Sequence, residues 1–321
     1  MRNARIFLAL AAIMAASVAA SQAPAALHQP DVNPQLVILD TDIGDDIDDA
    51  FAIALAVKSP EIEILGVTTT FGDTEARARI AGRLLAEVDR PDISVVAGVP
   101  TKTDNVMTQR RYGEGGRFGA GQPGGAVEFI LQEIKKYPGE ITLVGIGPLM
   151  NVAAVIDKDL ETFRKLKRVV IMGGSIDCGY GELWFCPQHG PDAEWNIARD
   201  VAAAQKLFTS RVPLYVMPLD STQLRFVETM RAYVFRQGTP MTDALTLLYH
   251  QWGQSTPTLF DPVTIAFLID PNICPVVPMR IRVDDQGFTR REAGEKNAQV
   301  CMKSNEQEFF HLLIDRISAK Q

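Results

Sequence analysis

Along most of this chain, short runs of aliphatic and β-branched residues alternate with longer stretches whose apolar positions recur at helical spacing. Val37 to Leu39 reads as a buried parallel strand, and the residues through Ala56 then turn helical. Further strands are predicted at Ile62–Thr69, Ser94–Ala97, Ile141–Gly145, Arg168–Met172 and Leu214–Met217. Asp73 is placed to cap a helix running to about Val88. Met241 to Asp270 reads as largely helical, broken around Thr256-Pro257 and Asp261-Pro262. Strands alternating with helices imply an α/β fold, a mainly parallel open sheet covered by helices on both faces. No repeat or low-complexity linker interrupts the pattern, so one domain is expected over residues 35–321. The polar, glycine-rich segment Gly98–Gly125, with Tyr112 and Phe118, is long enough to be a functional loop or lid.

The first residues follow a different rule. Arg2 and Arg5 precede the apolar stretch Ile6–Ala16, and Val18 and Ala20 stand at −3 and −1 of a cleavage site. Residues 1–20 are therefore expected to be a secretory signal, and 21–34 a leader rich in Ala, Pro and Gln. An exported, periplasmic or secreted, protein follows, with no membrane association after cleavage. The formal net charge of −7 argues against nucleic acid or an anionic membrane as partner. Export permits disulfides: Cys178 and Cys186, eight apart in a loop-like segment, form the favoured pair, while Cys274 and Cys301 stay unassigned.

Charge is concentrated where the first strand ends. Asp40, Asp42, Asp45, Asp46, Asp48 and Asp49 fall within ten residues, at the carboxyl end of a parallel strand, where open α/β sheets place their ligands. Such crowding demands either a cation or separation into water. An EF-hand counted from Asp40 fails, because Gly44 stands at position 5 and Phe51 at position 12. Asp40-Thr41-Asp42 imitates a haloacid-dehalogenase-type phosphotransferase, but Gly44 stands where that family usually has Thr or Val.

The chain resembles the nucleoside hydrolase (inosine-uridine preferring) family more broadly. Asp40-Thr41-Asp42-Ile43-Gly44 with Asp48-Asp49-Ala50 is similar to its N-terminal signature, with two extra residues before the paired aspartates. Anchoring on the following helix selects Asp48 and Asp49, whereas counting from Gly44 selects Asp46. Gly66–Asp73 resembles the second segment, with Asp73 where the family has an asparagine on the sugar. Thr142–Asn151 resembles the third, and Ile146 matches its metal-binding carbonyl. Val169–Gly174, which includes Met172, and Ala193-Glu194-Trp195-Asn196 resemble the ribose-binding elements, and Asp261-Pro262 the late metal-binding aspartate. Between Met172 and Glu194 the loop is longer than usual and lacks an asparagine.

The resemblance implies a calcium-dependent hydrolase that splits a ribonucleoside into base and ribose, working as a homo-oligomer on a small-molecule nucleoside. It assigns Asp42, Asp49, Asp261 and the Ile146 carbonyl to calcium and makes Asp42 the candidate base. Asp48 or Asp46, with Asp73, Met172, Glu194 and Asn196, would hold the sugar. Phe260 stands where the inosine-uridine class has a histidine, and implies stacking on a purine, with Tyr112, Phe118 or Trp184 as candidate second walls. Of four histidines, His28 and His311 are expected on the surface, while His189 and His250 could reach the base. Asp40 is expected to be structural, Asp45 solvated and Asp220 a helix cap. A nucleoside-binding protein without turnover is the non-enzymatic rival.

Overall fold

In the computed structural model, which describes residues 33–116, 125–181, 185–186 and 188–320, the run Gln35–Thr41 is β1. It leads through the aspartate loop into α1 (Asp48–Val57), then β2 (Ile62–Thr69), α2 (Thr74–Glu87) and β3 (Ser94–Ala97). The chain continues with α3 (Ala126–Lys136), β4 (Thr142–Gly145), α4 (Met150–Phe163), β5 (Arg168–Met172), α5 (Trp195–Ala198), α6 (Val201–Thr209) and β6 (Leu214–Met217). Four helices follow: α7 (Leu219–Thr222), α8 (Glu228–Phe235), α9 (Pro240–Trp252) and α10 (Pro262–Ile269). Strands β7 (Val276–Val283), β8 (Thr289–Glu292) and β9 (Ala298–Cys301) precede the last helix, α11 (Glu306–Ser318). The signal and leader expected over residues 1–32 lie outside the described residues, as do His28, Phe118 and Trp184. Among the described residues no helix is long and apolar enough to cross a membrane.

The sheet order is β3-β2-β1-β4-β5-β6-β9-β7-β8, with β1 to β6 and β9 parallel and β7 antiparallel to both its neighbours. The period-2 geometry of β1 shows why its sequence is unbroken aliphatic: Val37 and Leu39 enter one core while Ile38 enters the other. Helices α1, α2, α9, α10 and α11 contribute to the first core, and α3, α4 and α6 to the second. The six strands expected from sequence are all present. The antiparallel ending is not among them, although Met279, Ile281 and Val283 alternate inward with Arg280 and Arg282. Pro278 on β7 and the charged Thr289–Glu292, which forms the edge strand β8, obscured that signal, because proline removes a ladder donor and edge strands carry charge as protection against pairing.

This order places the topological switch between β1 and β4, since the chain leaves β1 toward β2 and β3 and returns to β4 on its other side. Ligands of open α/β sheets sit at that crevice. Both predicted and unassigned cysteines are paired: Cys178 with Cys186, and Cys274 with Cys301. The second bridge joins the turn before β7 to the end of β9, and both its cysteines are fully buried. Closing a loop of this size stabilises by roughly 3 kcal/mol. A Cys274→Ala/Cys301→Ala double variant should lose about that much unfolding free energy in a urea titration of the oxidised chain. An unchanged midpoint would show that the bridge is no staple.

Candidate active site

The end of β1 is held by polar contacts made inside the core. Asp40 is buried and accepts from Thr68 Oγ1 (2.6 Å) and Asn151 Nδ2 (2.7 Å). Burial pushes its carboxyl up to about 6, against the pull of those two bonds. It ties β1 to β2 and α4 and does not line the cavity described below, which removes the phosphotransferase reading that needs it as a nucleophile. Thr41 Oγ1 donates to Asp49 Oδ1. Gly44 then turns the loop at φ +130°, where a Cβ would sit 3.0 Å from both Ile80 and Met107.

Asp45 corrects one expectation. Its carboxylate is not solvated but lies 2.8 Å from Arg77 Nη2, and Arg77 itself, on α2, is 1% exposed. The same guanidinium donates from Nη1 to the carbonyls of Asp42 and Ile43, and from Nε to that of Phe71 (2.7 Å). One buried cation thus fixes the main chain of the aspartate loop. Sequence reasoning missed it, although an arginine three and four residues before Ile80 and Ala81, on the apolar stripe of a helix, is the signal that finds it.

The first turn of α1 supplies Asp48 and Asp49, and the residue before α10 supplies Asp261; all three are buried. Their ligand atoms lie within 4.8 Å of one another. The Asp261 amide donates to Asp48 Oδ2 (3.3 Å). Asp261 stands at the N-cap of α10, but its side chain makes no capping bond, so capping does not explain it. Asp42 is buried beside this group, with Oδ1 close against Gly147, whose Cβ would fall 2.8 Å away. Burial comes first in raising all four carboxyls. Mutual repulsion adds to it, while Arg77 opposes it at Asp42, which is pushed up to about 7. The tightest trio therefore includes Asp48, which sequence had assigned to the sugar, with Asp42 at its side. Asp46, the alternative to Asp48, is half-buried on the cavity wall and accepts the Ile47 amide (2.7 Å).

Across the switch point, the Ile146 carbonyl at the end of β4 and the Met172 carbonyl at the end of β5 both accept from Asn196 Nδ2 (3.3 and 3.1 Å). Glu194 caps α5 through the Asn196 and Ile197 amides, accepts from the Gly174 amide (2.9 Å), and takes a fourth bond from the Tyr180 hydroxyl (3.4 Å). Its carboxyl is raised by burial and lowered by those backbone donors. Glu194 and Asn196 thereby brace each other across one turn.

These groups surround a cavity of about 320 Å³ with Phe260, Tyr180, Trp195 and Asn105 on its walls. A cavity near 300 Å³ suits a small organic ligand. Tyr180, Trp195 and Asn105 were not singled out from sequence; Trp195 stood within a motif chosen for its neighbours. Asp73, predicted on the sugar, lies outside the lining: it caps α2 and pairs with Arg110 at 2.7 Å. Tyr112 is likewise corrected, being buried under Arg83 and donating its hydroxyl to Glu87. His189 and His250 do not line the cavity, and His250 is exposed on α9. Asp220 is not a helix cap, since it sits inside α7 and accepts the amides of Ile176, Asp177 and Cys178.

Three buried carboxylates with oxygens this close together form a hard oxygen donor set that fits calcium or magnesium rather than zinc.

Comparison with known proteins identifies the family. The model of the inosine-uridine preferring nucleoside hydrolase family matches residues 37–311. The pyrimidine-specific ribonucleoside hydrolase RihA of Salmonella typhi is 32% identical over 313 residues, covering 88% of this chain and 97% of that protein. RihA of Salmonella schwarzengrund is 31% identical with the same coverage. A plant nucleoside hydrolase matches with a TM-score of 0.77 at 26% identity, over 89% of this chain and 100% of the plant chain. A purine-preferring ribonucleoside hydrolase from Gardnerella vaginalis matches in fold with a TM-score of 0.76 at 24% identity, over 88% and 98%.

Two outcomes are expected of the acidic cluster. Arg77→Met should destabilise the chain by about 3 kcal/mol in denaturant titration, because it leaves Asp45 and three carbonyls without their cation. In chelator, the raised carboxyls bind protons more tightly in the folded state than in the unfolded one. Their stabilising contribution is therefore present below the ordinary carboxylate range and lost as pH rises through about 6 at Asp40 and about 7 at Asp42. The melting temperature in chelator should fall between pH 5 and pH 8, and calcium should flatten the profile. A flat profile without metal would contradict the assigned burial energetics.

Proposed function

Because the chain belongs to the inosine-uridine preferring nucleoside hydrolase family, we propose that it hydrolyses the N-glycosidic bond of ribonucleosides in a calcium-dependent reaction, and that its aromatic wall favours purines. The enzyme class, a hydrolase of N-glycosyl compounds, follows from family membership. The observation that carries the finer reading is the position of the Asp48–Asp49–Asp261 trio, with Asp42 beside it, in the wall of a cavity that also presents Phe260.

Asp42, Asp48, Asp49 and Asp261 with the Ile146 carbonyl would hold the ion. When bound, it would supply Lewis-acid polarisation of a water and an anchor for ribose hydroxyls. Everything else falls to the chain. Asp42 accepts the proton of the attacking water. Asp46, Asp48 and Asn196 orient the sugar, so that its oxocarbenium-like character develops against a wall of carboxylates. Met172 and Glu194 hold Asn196 and the turn of α5 in place. Phe260 packs on the departing base and favours its protonated, purine form through the ring face.

The Salmonella relatives are named as pyrimidine-specific, which favours a second reading in which uridine or cytidine is preferred. Export belongs to the proposal as well: the positive and apolar pattern of residues 1–20 supports it, and so does the pairing of all four cysteines in disulfides. Association into a dimer or tetramer rests on the family resemblance alone.

Reducing-sugar release should be measured with inosine, adenosine, uridine and cytidine, in calcium and after chelation. Release that needs calcium and is fastest with inosine or adenosine is expected. Pyrimidine release alone would select the second reading, and calorimetric binding without any release would make the chain a binding protein. Asp42→Asn should lower kcat by roughly a hundredfold or more, with a smaller change in KM.

A further inference from the structure

In the lengthened loop between β5 and α5, the described residues around Tyr180 are held by a set of local bonds. Its root is fixed by the Asp220 carboxylate, which accepts the amides of Ile176 (2.8 Å), Asp177 (2.8 Å) and Cys178 (3.2 Å). Ser175 exchanges bonds with Thr289 on β8, accepting and donating at 2.9 Å through its main chain. The Tyr180 amide donates to Asp192 Oδ2 (2.8 Å), and Gln223 braces both neighbours, donating to the Gly179 carbonyl (3.0 Å) and accepting from the Gly181 amide (2.8 Å). The Cys178–Cys186 bridge pins the chain two residues before Tyr180.

All this restraint leaves the Tyr180 side chain half in the open, at 40% exposure, on the cavity wall. Its hydroxyl is occupied, donating to Glu194 Oε1 (3.4 Å) and accepting from the Trp195 amide (3.0 Å). Its ring meets Phe260 edge to face, with centroids 6.2 Å apart and planes at 80°. A rigid aromatic whose polar end is satisfied and whose ring is left beside an apolar partner offers a surface to a flat, weakly polar ligand.

We propose that Tyr180 is a second aromatic wall for the nucleobase, a specificity-determining residue contributed by the longer loop, and that the Cys178–Cys186 disulfide is the device that positions it. The inference rests on the nucleoside reading of the cavity. The ligand class is a planar heteroaromatic ring, and the hydroxyl bonds tie this wall to the Glu194–Asn196 element that faces the sugar. Phe260 and Tyr180 then form an L-shaped recess, which holds a base by face and edge together.

The test separates the base side of the cavity from the sugar side. Tyr180→Ala should raise KM for the best nucleoside about tenfold, the scale of one base–aromatic contact, with kcat changed less. Tyr180→Leu, which fills space without a π face, should lie between alanine and wild type, and Tyr180→Phe should stay within about threefold of wild type. A Cys178→Ser/Cys186→Ser double variant should raise KM in the same direction as alanine. In every variant, product inhibition by ribose should weaken much less than nucleoside binding does, which a general collapse of the site would not allow. Unchanged KM in Tyr180→Ala and Tyr180→Leu, or parallel weakening of ribose and nucleoside, overturns the proposal. A wild-type chain that releases no base from any nucleoside overturns the functional reading instead.

Discussion

The rest of this structure depends on keeping a set of carboxylates buried at one strand end without letting their repulsion open the fold. Three devices share that task. The amides of the first turn of α1 present the positive end of a helix to Asp48 and Asp49. Thr41 and the Asp261 amide donate directly to Asp49 and Asp48. Arg77, buried under the loop, compensates Asp45 and holds the main chain around Asp42. The carboxyls nonetheless remain raised, so the protein by itself leaves the cluster short of positive charge. The Asp48–Asp49–Asp261 trio offers oxygen atoms close enough together to hold a metal ion, which would offset that repulsion.

Topology explains why residues far apart in sequence close the site. The crevice between β1 and β4 is open because the chain reverses direction across the sheet there. Strand ends β1, β4 and β5 each deliver one element to it: the aspartate loop, the Ile146 carbonyl and the Met172 carbonyl. Asp261 arrives from α10, which packs in the same core as α1. Gly147 lets the turn after β4 lie directly on Asp42, since any side chain there would displace the carboxylate.

Opposite the acids, the apolar wall is assembled by a different mechanism. Phe260 is carried by the segment that delivers Asp261, whereas Tyr180 stands on a loop with its own network of side-chain-to-backbone bonds and a disulfide. Tyr180 donates to Glu194 and accepts from the Trp195 amide, so the aromatic recess adjoins the element that braces Asn196. Asp220, a residue with the composition of a simple cap, turns out to organise that loop.

The chain itself determined the parallel strands, their order along the sequence, the strand-end aspartates and the identity of most groups that meet in the cavity. Unbroken aliphatic runs and helix-entry signals are local properties, readable without knowing the partners. Tertiary structure alone decided which carboxylates share a centre, bringing Asp48 into the trio with Asp49 and Asp261, because that depends on how α1 and α10 pack. It also decided that Asp45 faces Arg77, that Asp73 and Tyr112 stay away from the cavity, and that Tyr180 enters it. The three terminal strands were hidden for a related reason. The edge strand β8 is short and charged and β7 carries Pro278, so neither shows a clean apolar run, and the group docks on the parallel strands only where β9 pairs with the distant β6.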